Sequence, residues 1–210
     1  MRDYVEVTYG DKPVGDYPGR LTAWLVHHYG IPKGSFIVDA GCGRGEYTDG
    51  FNRCDMRTTA ADKSQYYPAA LVMDFDAEGI TLPPDMADVV FIKSVLEHLR
   101  YPEKLMADAY RVLRSWGRVI IISPDWRVGW RGWYDDYTHY SPMTVSGIRD
   151  MMRVAGFNDV QSEPWVSTMM ACEHPWTVPI FKALHWLMPR CEVPAVKYGG
   201  GGMILATGVK

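Results

Sequence analysis

The side chains most suited to chemistry begin with Asp39-Ala-Gly41-Cys-Gly43-Arg-Gly45. Alternate glycines let a backbone turn tightly and approach a ligand without Cβ clashes. A dinucleotide fingerprint of the form G-x-G-x-x-G needs a glycine where Glu46 stands, which disfavours a nicotinamide dinucleotide. Asp39, two residues before Gly41, points the same way. Its carboxylate repels a diphosphate and attracts an ammonium or sulfonium cation. A second acid, Asp62, follows roughly 20 residues later, the distance at which one carboxylate can hold both hydroxyls of a ribose. A third acidic group, Asp74-Phe75-Asp76, ends the next apolar run, where an acid can accept from an adenine amino group and Phe75 can add apolar contact. A single acid at a strand end is most simply a helix cap or a solvated loop residue. Three in this order argue for a nucleoside-bearing cation.

These residues need a scaffold that gathers strand ends. Near-continuous Val/Ile runs predict strands at 36–40, 57–61, 70–73, 88–92 and 118–122. Helical spacing is read at 19–29 and 102–113, the latter stopping at Ser115-Trp-Gly117, and again at 144–155 with Thr144 as N-cap and Gly156 as the residue after the end. Alternating buried strands and helices imply a parallel sheet covered on both faces. Residues 157–166 and 203–209 read as two final strands, and residues 1–17 as a polar, irregular arm. Between the last strands, the apolar stretch 176–188, fenced by Pro175 and Pro189, predicts a helix inserted within 169–198. The whole chain, 1–210, reads as one α/β domain.

Over residues 20–165 the chain resembles the class I S-adenosylmethionine-dependent methyltransferases. The likeness rests on the glycine loop, Asp62 and the Asp74 region, on Ala87-Asp-Val-Val-Phe-Ile-Lys-Ser-Val-Leu-Glu-His-Leu99, and on Tyr110-Arg-Val-Leu-Arg-Ser-Trp-Gly-Arg-Val-Ile-Ile-Ile122. The resemblance implies a Rossmann-like three-layer sandwich with a seven-stranded, mostly parallel sheet and an antiparallel last strand. It also implies S-adenosylmethionine as cofactor. Asp39 and the loop of Gly41, Gly43 and Gly45 would then face the methionine moiety, Asp62 the ribose, and Asp74 and Phe75 the adenine. Lys93 and Ser94 would border the methionine end.

Methyl transfer from a sulfonium is an in-line displacement in which the cofactor carries the activation. The protein aligns the nucleophile and, for a hydroxyl, removes its proton. Acceptor-side residues are therefore expected after the fourth and fifth strands. His98 follows the fourth, and the loop 127–143 follows the fifth. Within that loop, Asp136-Tyr-Thr-His139-Tyr-Ser-Pro-Met-Thr144 resembles the D-x-T-H-x-x-P-x-T segment of a subgroup often found acting on sugars, glycans and other small metabolites. His139 is suited to accept a hydroxyl proton near neutral pH. The alternatives are a hydrogen-bonded brace with Asp136, or metal ligation; no metal is assigned. His98 is the second candidate, although its V-L-E-H-L segment recurs in members with unrelated acceptors. The loop is rich in aromatics (Trp126, Trp130, Trp133, Tyr134, Tyr137, Tyr140), which suit stacking on a sugar or planar ring or a small core of their own. Arg127 and Arg131 suit an anionic group on the acceptor, or solvent.

Composition bounds the rest. A net charge of −3 without basic clusters disfavours nucleic acid as a partner. Cys42, Cys54, Cys172 and Cys191 form no C-x-x-C pair, so neither zinc nor a disulfide framework is expected. The start lacks the apolar core of a secretory signal, and a cytoplasmic setting is the expectation. The insertion serves as a lid or buried core helix, as a homodimer contact or, least favoured by its few cations, as a peripheral membrane contact. The expected partner is a small-molecule or glycan-type acceptor, with monomer and homodimer both open. Two other functions stay open: a cofactor-binding scaffold that has lost catalysis, and an NAD-dependent oxidoreductase, the latter disfavoured by Glu46.

Overall fold

The apolar runs form one seven-stranded sheet in the computed structural model, which describes residues 3–188 and 201–210. The strands are β1 (Phe36–Ala40), β2 (Arg57–Asp62), β3 (Leu71–Val72), β4 (Ala87–Lys93), β5 (Leu113–Pro124), β6 (Asn158–Trp165) and β7 (Met203–Val209). Their order is β3-β2-β1-β4-β5-β7-β6. β7 runs antiparallel to both its neighbours, and the pairings among β1 to β5 are parallel. The expected architecture, antiparallel last strand included, is the one observed. The chain leaves β1 toward β2 and β3, then returns to its other side as β4. The crevice above the carboxyl ends of β1 and β4 is therefore a topological switch point, where open α/β sheets bind ligands.

The helices are α1 (Tyr4–Tyr9), α2 (Tyr17–His28), α3 (Glu46–Arg53), α4 (Pro102–Val112), α5 (Trp126–Gly129), α6 (Val145–Val154), α7 (Met169–Glu173) and α8 (Val178–Leu187). The pleat sends successive side chains of a strand to opposite faces. Val38, Val90, Ile92, Val119 and Ile121 thus pack with Leu105, Met106 and Ala109 of α4 and Ile148 and Met152 of α6. Ile37, Val89, Phe91, Ile120 and Ile122 pack on the other face with Leu21 and Leu25 of α2 and Phe51 of α3. Two dry layers clamp the sheet and fix the heights of the strand ends.

Four expectations need correction. The arm over 1–17 is not irregular, because Asp3 caps α1, accepting from the Val5 and Glu6 amides at 2.8 and 3.3 Å. β3 is only two residues long, since the chain turns at Asp74, whose carboxylate accepts from the Asp76 and Ala77 amides. α4 ends at Val112 and β5 begins at once, reaching Arg118 through a register shift opposite β4 and a positive φ of 67° at Trp116. Lys210 stabilises this exit by donating to the carbonyls of Leu113 and Arg111 at 2.7 and 3.2 Å. The inserted helix is two helices: α7, capped by Thr168 on the Ala171 amide, and α8, separated by a 3₁₀ turn at Pro175–Thr177. The expected helix over 176–188 is present as α8, its first two positions taken up by the 3₁₀ turn. The part of the insertion from 189 to 198 lies outside the described residues.

Candidate active site

The glycine loop joins β1 to α3, and each glycine has a distinct reason to be there. Gly41 has φ +89°, and a Cβ there would sit 2.0 Å from Cγ2 of Val95. Gly45 has φ +77° and lies under the Tyr67 ring, 2.2 Å from where its Cβ would be. Gly43 has φ +52° and, among the described residues, nothing within 4 Å of its Cβ position. Two glycines are therefore set by packing and conformation together, and the middle one borders open space.

Asp39 closes β1 with 1% of its surface exposed and accepts from Thr48 Oγ1 at 2.6 Å. Burial pushes its carboxyl up to about 6, a rise opposed by the Thr48 bond and reinforced by the charge of Asp62. A buried carboxylate with so little solvation gains most from a cation placed against it. Asp62 ends β2. Its Oδ2 accepts from the Gly43 amide at 2.8 Å and its Oδ1 from the Ser64 amide at 2.9 Å. Burial raises this carboxyl too, against those backbone bonds.

Asp74 lies at the end of β3, paired with Lys63 at 2.7 Å, whose bond holds its carboxyl below the usual range. Phe75 is 4% exposed, with its ring among core residues that include Met73, Ile80, Leu96 and Leu99. The three acids are thus brought to adjacent strand ends. Asp74 is already engaged in a turn and an ion pair, and Phe75 belongs to the core.

Lys93 ends β4 with Nζ 5.1 Å from the Tyr47 ring centroid and 3.4 Å from Ser94 Oγ. Burial lowers its pKa, while the charges of Glu97, Glu46 and Asp39 oppose that shift. It therefore stands electrostatically between Asp39 and Glu97. Ser94 holds φ +54°, a left-handed conformation costly for a residue with a Cβ. Its amide donates to Ile122 of β5 at 2.8 Å.

Beyond Ser94 a 3₁₀ turn, Leu96–His98, carries Glu97 and His98. The amides of Tyr140 and Ser141 both donate to the Glu97 carbonyl, at 2.8 and 3.1 Å, and Ser141 Oγ donates to Leu99 at 2.7 Å. These bonds pin the Asp136–Thr144 segment to the V-L-E-H-L segment and bring His139 to His98, with ring centroids 4.8 Å apart.

Hydrogen bonding assigns both histidine tautomers. Thr138 Oγ1 donates to Asp136 Oδ1 at 2.6 Å, so it accepts from His98 Nδ1 at 2.8 Å. His139 Nδ1 lies 2.7 Å from the Trp133 carbonyl, which can only accept. Both Nδ1 atoms therefore carry a proton, so that in the neutral form of each ring the lone pair lies on Nε2. Burial and the neighbouring His139 lower the pKa of His98. Glu97 is 1% exposed, and Ser123 Oγ donates to its Oε2 at 3.1 Å. Burial pushes its carboxyl up to about 7, against the Ser123 bond and the charge of Lys93.

Both candidate histidines thus meet in one place. Sequence reasoning missed Glu97 as a separate group, Thr138 as the link to Asp136, and Tyr4. The Tyr4 hydroxyl donates to Asp136 Oδ2 from the far end of the chain, so no local spacing announces it. A cleft of about 430 Å³ opens between α1 and the 3₁₀ turn Trp130–Asp135, lined by Tyr4, Tyr9, Lys12, Asp136 and Tyr137 among others. Of the six loop aromatics only Trp133 is buried, against His139 at 4.6 Å between centroids. Arg127 reaches Ser146 Oγ at 3.2 Å, and Arg131 stacks on Trp130. A larger concavity, about 610 Å³, lies by Arg118, Arg153 and Gln161. It contains none of these groups.

The family model described as a methyltransferase domain matches residues 17–162. The S-adenosyl-L-methionine-dependent Diels-Alderase iliD of Neonectria sp. is 26% identical over 86% of this chain and 81% of its own length. The chloroplastic 2-methyl-6-phytyl-1,4-hydroquinone methyltransferase of Arabidopsis thaliana is 26% identical over 83% of this chain, which spans only 52% of that protein. A SAM-dependent methyltransferase from Archaeoglobus fulgidus superposes with a TM-score of 0.69 at 18% identity, over 99% of this chain and 100% of its own. At that identity the superposition speaks for the fold.

Proposed function

Since the chain belongs to the methyltransferase-domain family, we propose that it carries a methyl group from S-adenosylmethionine to an oxygen or nitrogen of a small-molecule or glycan-type acceptor. The observation that carries this reading is the division of the site at the switch point. Asp39 and Asp62 stand over β1 and β2 with the glycine loop between them, and the two histidines stand over β4 and β5. A sulfonium cofactor with a methionine ammonium and a ribose matches the first set. The acceptor then lies against the second.

The chemistry asked of the protein is limited. The sulfur–methyl bond breaks with its electron pair going to sulfur, and the acceptor's lone pair forms the new bond. When the nucleophile is a hydroxyl, its proton goes to a histidine Nε2. His98 is the better placed of the two, because its Nδ1–H leads through Thr138 to the Asp136 carboxylate, which stabilises the imidazolium. His139 adds a second polar contact to the acceptor. The resemblance of the Asp136–Thr144 sequence to the sugar- and glycan-acting subgroup supports this acceptor class. Arg127 and Arg131 on the same loop favour an acceptor bearing a phosphate or carboxylate.

The test is release of S-adenosylhomocysteine from S-adenosylmethionine across a panel of hydroxylated acceptors, sugar phosphates and phenols. Similarity to a Diels-Alderase as well as a methyltransferase makes methyl consumption the decisive readout. Product formation without S-adenosylhomocysteine would defeat the proposal.

A further inference from the structure

We infer that Glu97, His98 and His139 form a binding site for one divalent first-row transition-metal ion, open on the acceptor side. One ligand atom from each of the three lies within 4.8 Å of the others. Two imidazoles and one carboxylate are a donor set suited to such ions, leaving coordination positions free for an outside ligand. Metal–ligand bonds of about 2 Å draw ligand atoms to roughly 3 Å of one another. Small side-chain rotations therefore complete the site.

What separates this cluster from a chance meeting is the way each donor is held. A metal-bound histidine typically donates its other ring N–H to a carbonyl or to a group backed by a carboxylate, which fixes tautomer and orientation. His139 has the Trp133 carbonyl at 2.7 Å, and His98 has Thr138 at 2.8 Å, itself bonded to Asp136. Ser123 orients the Glu97 carboxylate. The segments carrying the ligands are tied to each other through the Glu97 carbonyl. The two histidines come from different loops, with α4 and β5 between them in the chain, and their rings still meet at 4.8 Å between centroids.

This inference rests on the reading that the cluster faces the acceptor, and it deepens that reading. With the ion in place the Nε2 lone pairs are ligands, and activation passes from histidine to metal. An acceptor hydroxyl binds an open position, loses its proton to solvent water more readily there, and attacks the sulfonium methyl as before. The preferred acceptor is then one with a metal-binding hydroxyl.

The experiment uses the full chain, stripped with a chelator and titrated with Co²⁺, followed by its visible absorption, and with Zn²⁺ and Mn²⁺ in equilibrium dialysis with elemental analysis. One equivalent of ion is expected, with a Co²⁺ spectrum of nitrogen and oxygen ligation. Glu97→Gln, His98→Gln and His139→Gln should abolish stoichiometric binding. Thr138→Val, which touches no ion, should weaken it by roughly 10–100-fold, the scale of losing an outer hydrogen bond. Calorimetric titration with S-adenosylhomocysteine should be unchanged in every variant, showing that each is folded. Absence of a bound equivalent, or binding indifferent to these substitutions, overturns the metal site and leaves the histidine base standing. Failure of the wild-type protein to bind S-adenosylhomocysteine overturns the reading beneath it.

Discussion

The Gly43 amide donates to the Asp62 carboxylate across 2.8 Å, so the loop after β1 and the acid after β2 act together. Replacing Asp62 should therefore do two things at once. Asp62→Ala removes the two ribose hydrogen bonds proposed for its carboxylate and frees the loop amide. Charge-assisted bonds are worth about 1.5–3 kcal/mol each, so calorimetry should show S-adenosylhomocysteine binding weakened by about 10²-fold or more with the fold intact. Unchanged affinity would remove Asp62 from the site.

Gly41 and Gly43 should fail differently. A Cβ on Gly41 lies 2.0 Å from Val95 Cγ2, so Gly41→Ala should lower the melting temperature even without cofactor. Adding Val95→Ala should restore part of the loss. Gly43→Ala meets no atom of the described residues within 4 Å, leaving the left-handed backbone cost, about 1–2 kcal/mol. Its main effect should be on cofactor binding. Equal thermal penalties with no difference in binding would contradict this division.

Asp39 should give opposite pH trends for stability and binding. Its carboxyl titrates at about 6 in the folded protein, above the ordinary value of 3.8 that it regains on unfolding. The folded state thus favours the protonated form. Stability falls as pH rises from about 4 through 6, by about 1.4 kcal/mol for each pH step of one across that window. Cofactor affinity should move the other way, rising over the same window as the carboxylate ionises to meet a cation. Asp39→Asn should flatten both curves. Denaturant unfolding and cofactor titration at matched pH values check this. Parallel trends would exclude Asp39 as the cation's partner.

Much of the fold is legible because the signals are local. Runs such as Val89-Val90-Phe91-Ile92 alternate between two buried layers, and Thr144 and Gly156 mark the flanks of α6 as their types predict. What composition hides is also specific. Asp3 makes a helix of a polar arm, and Pro175 divides the insertion. On α8, Phe181 is buried and Trp186 exposed, a distinction that apolar content cannot make. In the site, Asp39, Asp62 and the glycines announce themselves by type and spacing. The meeting of His98 with His139 does not, because it depends on backbone bonds from Tyr140 and Ser141 to Glu97. Tyr4 reaches Asp136 from 132 residues away, beyond any sequence window.

On the proposed reading the acids serve the cofactor and the histidines serve the acceptor. Calorimetric titration of the His98→Ala/His139→Ala double variant with S-adenosylhomocysteine separates the two roles, with Asp62→Ala as reference. The double variant should bind within a few-fold of wild type while its methyl transfer falls by roughly 10²–10⁴, the scale of lost acid–base activation. Loss of cofactor affinity comparable to that of Asp62→Ala, or turnover near the wild-type rate, would contradict it.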